Sequence, residues 1–170
     1  MPVSSYQPDC DVYYTFDNTF DGLLIGEFTS FLIRAIRTSG NHLLGFTSGL
    51  YQLLTEMEHL DNSDNLYNNP LTSEIRHYKK LKTLNNTNNL FFGPIPSEIG
   101  SLPVLQSYNV SGNIEVNGTI PSELGLLRSL TSFDISGTSI TGDIPEQLCE
   151  RVLEGTLYMV ANCSLMNCCL

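Results

Sequence analysis

The chain has no tryptophan and few cations. Among its 170 residues, 8 are Lys or Arg and 18 are Asp or Glu, giving a net charge of −10 and a pI near 4.5. Binding to nucleic-acid phosphates draws on Lys and Arg, so this balance excludes nucleic acid as an expected partner. It disfavours anionic membrane surfaces on the same ground. Long apolar runs are also missing. The most apolar stretch, residues 23–36, is interrupted by Glu27 and Arg34 and is too short to span a bilayer, so no membrane insertion of this chain is expected. The opening MPVSSYQPDC has neither a basic n-region nor an apolar h-region. Two expectations follow: an intracellular protein, or a chain whose true start lies elsewhere. Catalytic constellations are absent too. The 3 histidines, His42, His59 and His77, are scattered, and no Ser/His/Asp or Cys/His spacing, phosphate loop or His/carboxylate cluster stands out. The expectation is no enzyme, no cofactor and no metal, in one domain long enough for a sizeable core.

What the chain does have is repetition. Leu81, Leu84, Asn86, Asn89, Phe91, Gly93, Ile95 and Pro96 recur as Leu105, Tyr108, Val110, Asn113, Val116, Gly118, Ile120 and Pro121. They recur again as Leu130, Phe133, Ile135, Thr138, Ile140, Gly142, Ile144 and Pro145, and after the prolines come SEIGSL, SELGLL and EQLCER. A period of roughly 24 residues is a repeat-protein signature. The alternating apolar core of each unit reads as a short strand. An Asn after it carries both donor and acceptor for the backbone groups a turn leaves unpaired, so its repetition predicts a ladder. Glycine tolerates unusual backbone angles, proline presets the entry to a helical turn, and the Glu two residues on suits that turn's positive end.

This pattern resembles the plant-type leucine-rich repeat, with IPSELGLL at 120–127 carrying the match most closely. The resemblance implies an α/β solenoid: a right-handed superhelix of about five to six repeats, with a short parallel concave β-sheet and a helical or 3-10 convex side. The division expected is a degenerate N-terminal cap or first repeat at 1–32, repeats at 33–148, and a Cys-rich C-terminal cap at 149–170. The structural Asn ladder is Asn41, Asn65, Asn89 and Asn113, and one step back lands on Asp17. The strand position runs back through Tyr108, Leu84, Leu60 and Ile36 to Val12. Residues 26–37 read as a helical return. The worn repeats are Ile33, Ile36, Thr38, Asn41, Leu43, Gly45 and then Leu50, Leu53, Met57, Leu60, Asn62, Asn65, Tyr67, Leu71, with Leu53 to Met57 one residue long.

Cys149, Cys163, Cys168 and Cys169 are disulfide candidates that would staple a terminal cap, as in the Cys-rich flanks of similar secreted proteins. Four cysteines allow three pairings, and Cys10 is left over. Free thiols in a reducing compartment and a zinc site are the alternatives. Asn85, Asn109, Asn117 and Asn162 head Asn-x-Ser/Thr sequons and are glycosylation candidates. Four cations, Arg76, Lys79, Lys80 and Lys82, crowd one turn as a solvated convex face or an anion contact.

In similar proteins the concave sheet is the partner-binding face. Three outward columns follow from the period: Ala35, His59, Thr83, Ser107, Ser132; then Arg37, Asp61, Asn85, Asn109, Asp134; then Ser39, Ser63, Thr87, Ser111, Ser136. They hold no large aromatic anchor. The expected function is a non-catalytic recognition module for a protein or peptide, extracellular or at the cell surface. The alternatives are the ectodomain of a receptor-like serine/threonine kinase whose kinase lies outside these residues, a secreted hydrolase inhibitor, an intracellular scaffold, and an ice- or surface-adsorbing protein.

Overall fold

Each written repeat becomes a strand, a turn and a return. The computed structural model describes residues 33–46, 54–162 and 165, with strand backbone also at Val3–Ser4 (β1), Val12–Thr15 (β2) and Asp21–Leu24 (β3). The remaining strands are β4 (Ile33–Arg37), β5 (His42–Phe46), β6 (His59–Asp61), β7 (Thr83–Asn85), β8 (Phe92–Pro94), β9 (Ser107–Asn109), β10 (Glu115–Gly118), β11 (Ser132–Asp134), β12 (Ser139–Ile140) and β13 (Tyr158–Val160). One helix, α1, covers Glu146–Leu153. A long sheet runs in the order β1-β2-β4-β6-β7-β9-β11-β13, parallel throughout except for the β1–β2 pair.

Inside, the repeats stack as rungs. Leu54, Met57 and Leu60 lie under Tyr78, Leu81 and Leu84, then Leu102, Leu105 and Tyr108, then Leu127, Leu130 and Phe133, all in one buried cluster. The expected Leu53 is corrected: Leu54 takes the core position, three residues before Met57, and Leu53 and Leu50 fall outside the described residues. A strict step of 24 back from Tyr78 also lands on Leu54, so the apparent slip came from choosing the wrong one of two adjacent leucines.

The ladder forms as expected. Asn65, Asn89 and Asn113 each accept from the backbone N–H of the previous turn, at Leu43, Tyr67 and Phe91, all at 3.1 Å. Each also donates to a carbonyl of the previous turn: Thr38 at 2.7 Å, Asn62 at 2.9 Å and Asn86 at 2.9 Å. Thr138, where Asn is absent, only donates to Ile135 O at 2.7 Å; Asn162, which the β13 register sets level with Ser136 and off the ladder row, donates to Thr138 O at 2.6 Å and accepts from the Gly137 N–H at 2.9 Å. The residue just before each ladder position has positive φ: Gly40, Asp64, Asn88, Gly112 and Gly137. That left-handed residue swings the chain inward so that the ladder amide reaches the previous turn.

Three expectations are corrected. The return side is not purely helical. Beside 3-10 turns at Ser73–His77, Ser97–Ser101 and Ser122–Leu126 it carries a second parallel sheet, ordered β12-β10-β8. The Leu-x-Gly segment supplies those strands, because its extended backbone stacks in register on its own copy. Residues 33–37 are strand β4, not helical return, since they pair with β2 on one side and β6 on the other. Val12 faces Ile33; Tyr14 is the residue that faces Ile36, past an irregularity between Val12 and Tyr13. The first turn is therefore two residues shorter than the period, a difference that connecting segments absorb readily. Asp17 lies outside the described residues.

The C-terminal end is closed by α1, whose Leu148 is fully buried, and by Leu157 and Leu165. Strand β13 carries the long sheet one step beyond the last written repeat.

Candidate functional site: the outward face of the long sheet

The three columns assemble as spaced. Cα partners run Ala35, His59, Thr83, Ser107, Ser132 along one row and Arg37, Asp61, Asn85, Asn109, Asp134 along the next. His59, Asp61, Thr83, Asn85, Thr87, Ser107, Asn109, Ser132, Asp134 and Ser136 are half-buried and Arg37 is exposed, so a shallow polar surface results. Three members are corrected: Ala35, Ser63 and Ser111 are buried and offer a partner little surface.

The hydroxyl column has a structural cause. In the four turns after Arg37 the second-column side chain accepts from the residue two positions on, through both backbone N–H and hydroxyl. Ser63 donates to Asp61 Oδ1 at 3.1 and 2.7 Å. Thr87 donates to Asn85 Oδ1 at 3.2 and 2.7 Å, Ser111 to Asn109 Oδ1 at 2.9 and 2.7 Å, and Ser136 to Asp134 Oδ1 at 2.9 and 2.7 Å. An Asp or Asn followed two residues later by Ser or Thr thus closes the turn leaving the strand. From Ser63 to Ser136 the third column donates its hydroxyl protons to the second and is no free array for an ordered surface to match. The same motif, written with Asn, creates the sequons at Asn85 and Asn109. Asn117 is exposed on β10, and the Asn162 side chain is held by Thr138 O and the Gly137 N–H.

Along the face, His59 Nδ1 lies 2.9 Å from Thr83 Oγ1, and Asn85 Nδ2 donates to Asp61 Oδ1 at 3.1 Å. At the leading edge of the strands Glu58 pairs with Lys82 and lies 3.8 Å from Arg34. The Lys82 hydrogen bond, with the charges of Lys82 and Arg34, outweighs desolvation and holds the Glu58 carboxyl below the usual value. The basic crowd on the third turn is also engaged. Lys80 pairs with Glu56 at 2.6 Å, Arg76 with Glu74 at 3.7 Å, and Lys79 donates to Ser101 O and Oγ at 3.0 and 3.1 Å. Most of these partners stand one turn away, so the cations tie turns together and the anion-contact reading lacks support.

One residue the sequence reading passed over belongs here. Tyr158 on β13 is the Cα partner of Ser132, extends the first column, and is 71% exposed. The expectation of no large aromatic on this face is corrected. Tyr158 stands 26 residues after Ser132, and a search that allowed an inserted pair would have found it.

Cys149 is disulfide-bonded, and its partner is outside the described residues, as are Cys10, Cys163, Cys168 and Cys169. Among the described residues no group of three His, Cys, Asp or Glu side chains is arranged to hold a metal, and no helix is long and apolar enough to cross a membrane.

A parallel sheet on one side, 3-10 turns and a short second sheet on the other, and an Asn ladder between them make this a plant-type leucine-rich-repeat fold. Solved structures agree. The chain is similar to pollen receptor kinase 3, at 22% identity and TM-score 0.75, over 96% of this chain and 80% of that one. It is similar to the leucine-rich-repeat ectodomain of the membrane receptor kinase GASSHO1/SCHENGEN3 from Arabidopsis thaliana, solved in complex with CASPARIAN STRIP INTEGRITY FACTOR 2. That match has 24% identity and TM-score 0.69, over 76% of this chain and only 15% of that one. A plant ice-binding protein shares the fold at 18% identity and TM-score 0.70, over 82% of this chain and 46% of that one. No protein-family model matches the sequence, and neither does any curated protein.

Proposed function

We propose that this chain is a non-catalytic recognition module that binds an extended protein or peptide segment across the outward face of the long sheet, which is concave in this fold. The observation that carries the reading is the face itself. Across β4, β6, β7, β9 and β11 the outward rows are in register, and from β7 to β11 they are lined by small polar side chains. Such a surface admits a main chain laid across the strands and offers it donors and acceptors at the strand spacing of about 4.8 Å. The neighbouring folds include receptor ectodomains solved with peptide partners, which is why peptide is the class proposed. An extracellular or cell-surface setting fits the disulfide at Cys149, because such bonds persist in oxidising compartments.

The test is selection of a phage-displayed library of eight-residue peptides on the wild-type chain, followed by binding to Ser107→Trp, which fills the middle of the face. The expected result is at least a tenfold loss on Ser107→Trp with unchanged circular dichroism. Equal binding to both proteins, or no binder at all, would move recognition off this face. For the setting, alkylation of protein from its native source before and after reduction is decisive: the cysteine at 149 should label only after reduction.

A further inference from the structure

The charges on this face are not spread evenly. At the β4 end stands exposed Arg37, which makes no ion pair among the described residues, with half-buried Asp61 as its Cα partner on β6; at the β11 end stands Asp134, which makes no ion pair either and has no cation beside it in the row. They lie in one row, four strand steps apart, or about 19 Å. That exceeds the screening length of about 8–10 Å at ordinary ionic strength, so neither neutralises the other. Beside Asp134 is exposed Tyr158. Their Cα partners are Ser132↔Tyr158 and Asp134↔Val160, so the ring and the carboxylate sit on one face as diagonal neighbours of adjacent strands, roughly 8 Å apart at Cα. Half-buried Val160 lies in the same outward row as Asp134. Arg151, on α1 just before β13, is engaged elsewhere: its guanidinium donates to the backbone carbonyls of Leu127 and Leu130.

We infer that Tyr158, Asp134 and Val160 form a subsite for one lysine or arginine side chain of the bound peptide. This rests on the concave-face reading above. The cation sits over the phenol ring, the Asp134 oxygen left free by Ser136 takes its charge, and Val160 backs its aliphatic stem. The cationic residue lies at the β11–β13 end, because the other carboxylate of the row, Asp61, has Arg37 as its Cα partner while Asp134 has no cation in its row beside it.

The native chain supplies the clean test variant. Asn85 and Asn109 already occupy Asp134's row and accept the same pair of bonds through Oδ1. Asp134→Asn therefore removes the charge and keeps the turn. Peptides from the library selection are resynthesised with each Lys or Arg changed to Gln and titrated against wild type, Asp134→Asn and Tyr158→Ala. Replacing one basic residue should weaken binding about five- to tenfold on wild type and under twofold on either variant, and raising salt to 0.5 M should shrink the wild-type effect. Peptides without a basic residue, or a Gln penalty equal on all three proteins, would overturn the subsite. If such peptides still lose binding on Ser107→Trp, only the subsite fails; if Ser107→Trp has no effect either, the face is wrong as well.

Discussion

Two stretches of the same solenoid solve the same packing problem differently. Two residues after the central strand residue, the early turns place Thr38, Asn62 and Asn86, all buried, where the later turns place Val110 and Ile135. The early side chains form a line through the core. Thr38 Oγ1 lies 3.3 Å from Asn62 Oδ1 and 3.2 Å from the Tyr67 hydroxyl, and Asn62 Nδ2 donates to Asn86 Oδ1 at 3.0 Å. The later turns have no such line; Tyr108 stacks on Phe133 at 5.6 Å between ring centres, and Val110 and Ile135 fill the space. A repeat thus accepts either chemistry at this position, provided its neighbours choose the same one. The cost falls on mismatches, because a buried polar group left alone loses more than the pair contributes.

Breaking the polar line once should therefore hurt most. Asn62→Leu leaves Asn86 without its partner, takes one of three contacts from the Thr38 hydroxyl and puts an apolar side chain between them, and is expected to lower unfolding free energy by about 2–4 kcal/mol in urea titration. Changing all three, Thr38→Val, Asn62→Leu and Asn86→Val, should cost less than the single change, because the Asn62–Asn86 bond is then removed at both ends and only the Tyr67 hydroxyl gives up a contact. A triple variant less stable than the single would show that the polar line stabilises outright. Next in size is the left-handed position, which is Gly40 in the first of these turns, Asp64 and Asn88 in the next two, and Gly112 and Gly137 later. At Gly112, φ is 73°, and an added Cβ would meet Asn88 Oδ1 at 2.3 Å. Gly112→Ala should cost about 1–2 kcal/mol in the same titration, while Asn88→Gly should stay within about 1 kcal/mol of wild type.

The halves should also separate with pH. The Glu58 carboxyl is held below its usual value by Lys82 and Arg34, so its contribution is present above the unfolded value and is lost as pH falls through the folded one. Acidification from pH 6 to pH 3 should then loosen the early turns first. Hydrogen exchange should quicken at β4, β6 and β7 before β9 and β11, and Glu58→Gln should remove most of that difference.

Much of this was legible in the sequence. The columns, the ladder and the core rungs followed from spacing, because strand, turn and ladder residues are fixed by contacts with their own copies one turn away. What was not legible lay where copies differ in length or where a residue has two uses. The shortened first turn moved Val12 off Ile36, and the inserted pair hid Tyr158. Ser63 and Ser111 read as surface because alternation points them outward, yet the turn they close buries them. The second sheet was missed because a Gly- and Pro-containing segment reads as loop until its own copies stack beside it.

The junction between the two halves gives the smallest effect and the sharpest sign. Tyr108 is the first rung of the apolar stretch, and its side chain reaches back toward the polar one. Its hydroxyl is buried without a hydrogen-bond partner among the described residues, and burial pushes its pKa up. It borders a cavity of about 30 Å³ whose walls include Asn86, Tyr67, Leu84 and Ile99. Phe133, its stacking partner, shows that a phenyl ring suits this position in the next turn. Tyr108→Phe keeps the ring and deletes only the orphan oxygen, so it should raise unfolding free energy by about 0.5–1 kcal/mol. A drop of similar size would mean that a guest in the cavity, one or two waters at that volume, links the hydroxyl to Asn86. The polar line would then extend one turn further than the protein's own contacts carry it. The sign of one urea titration decides where the change of chemistry falls.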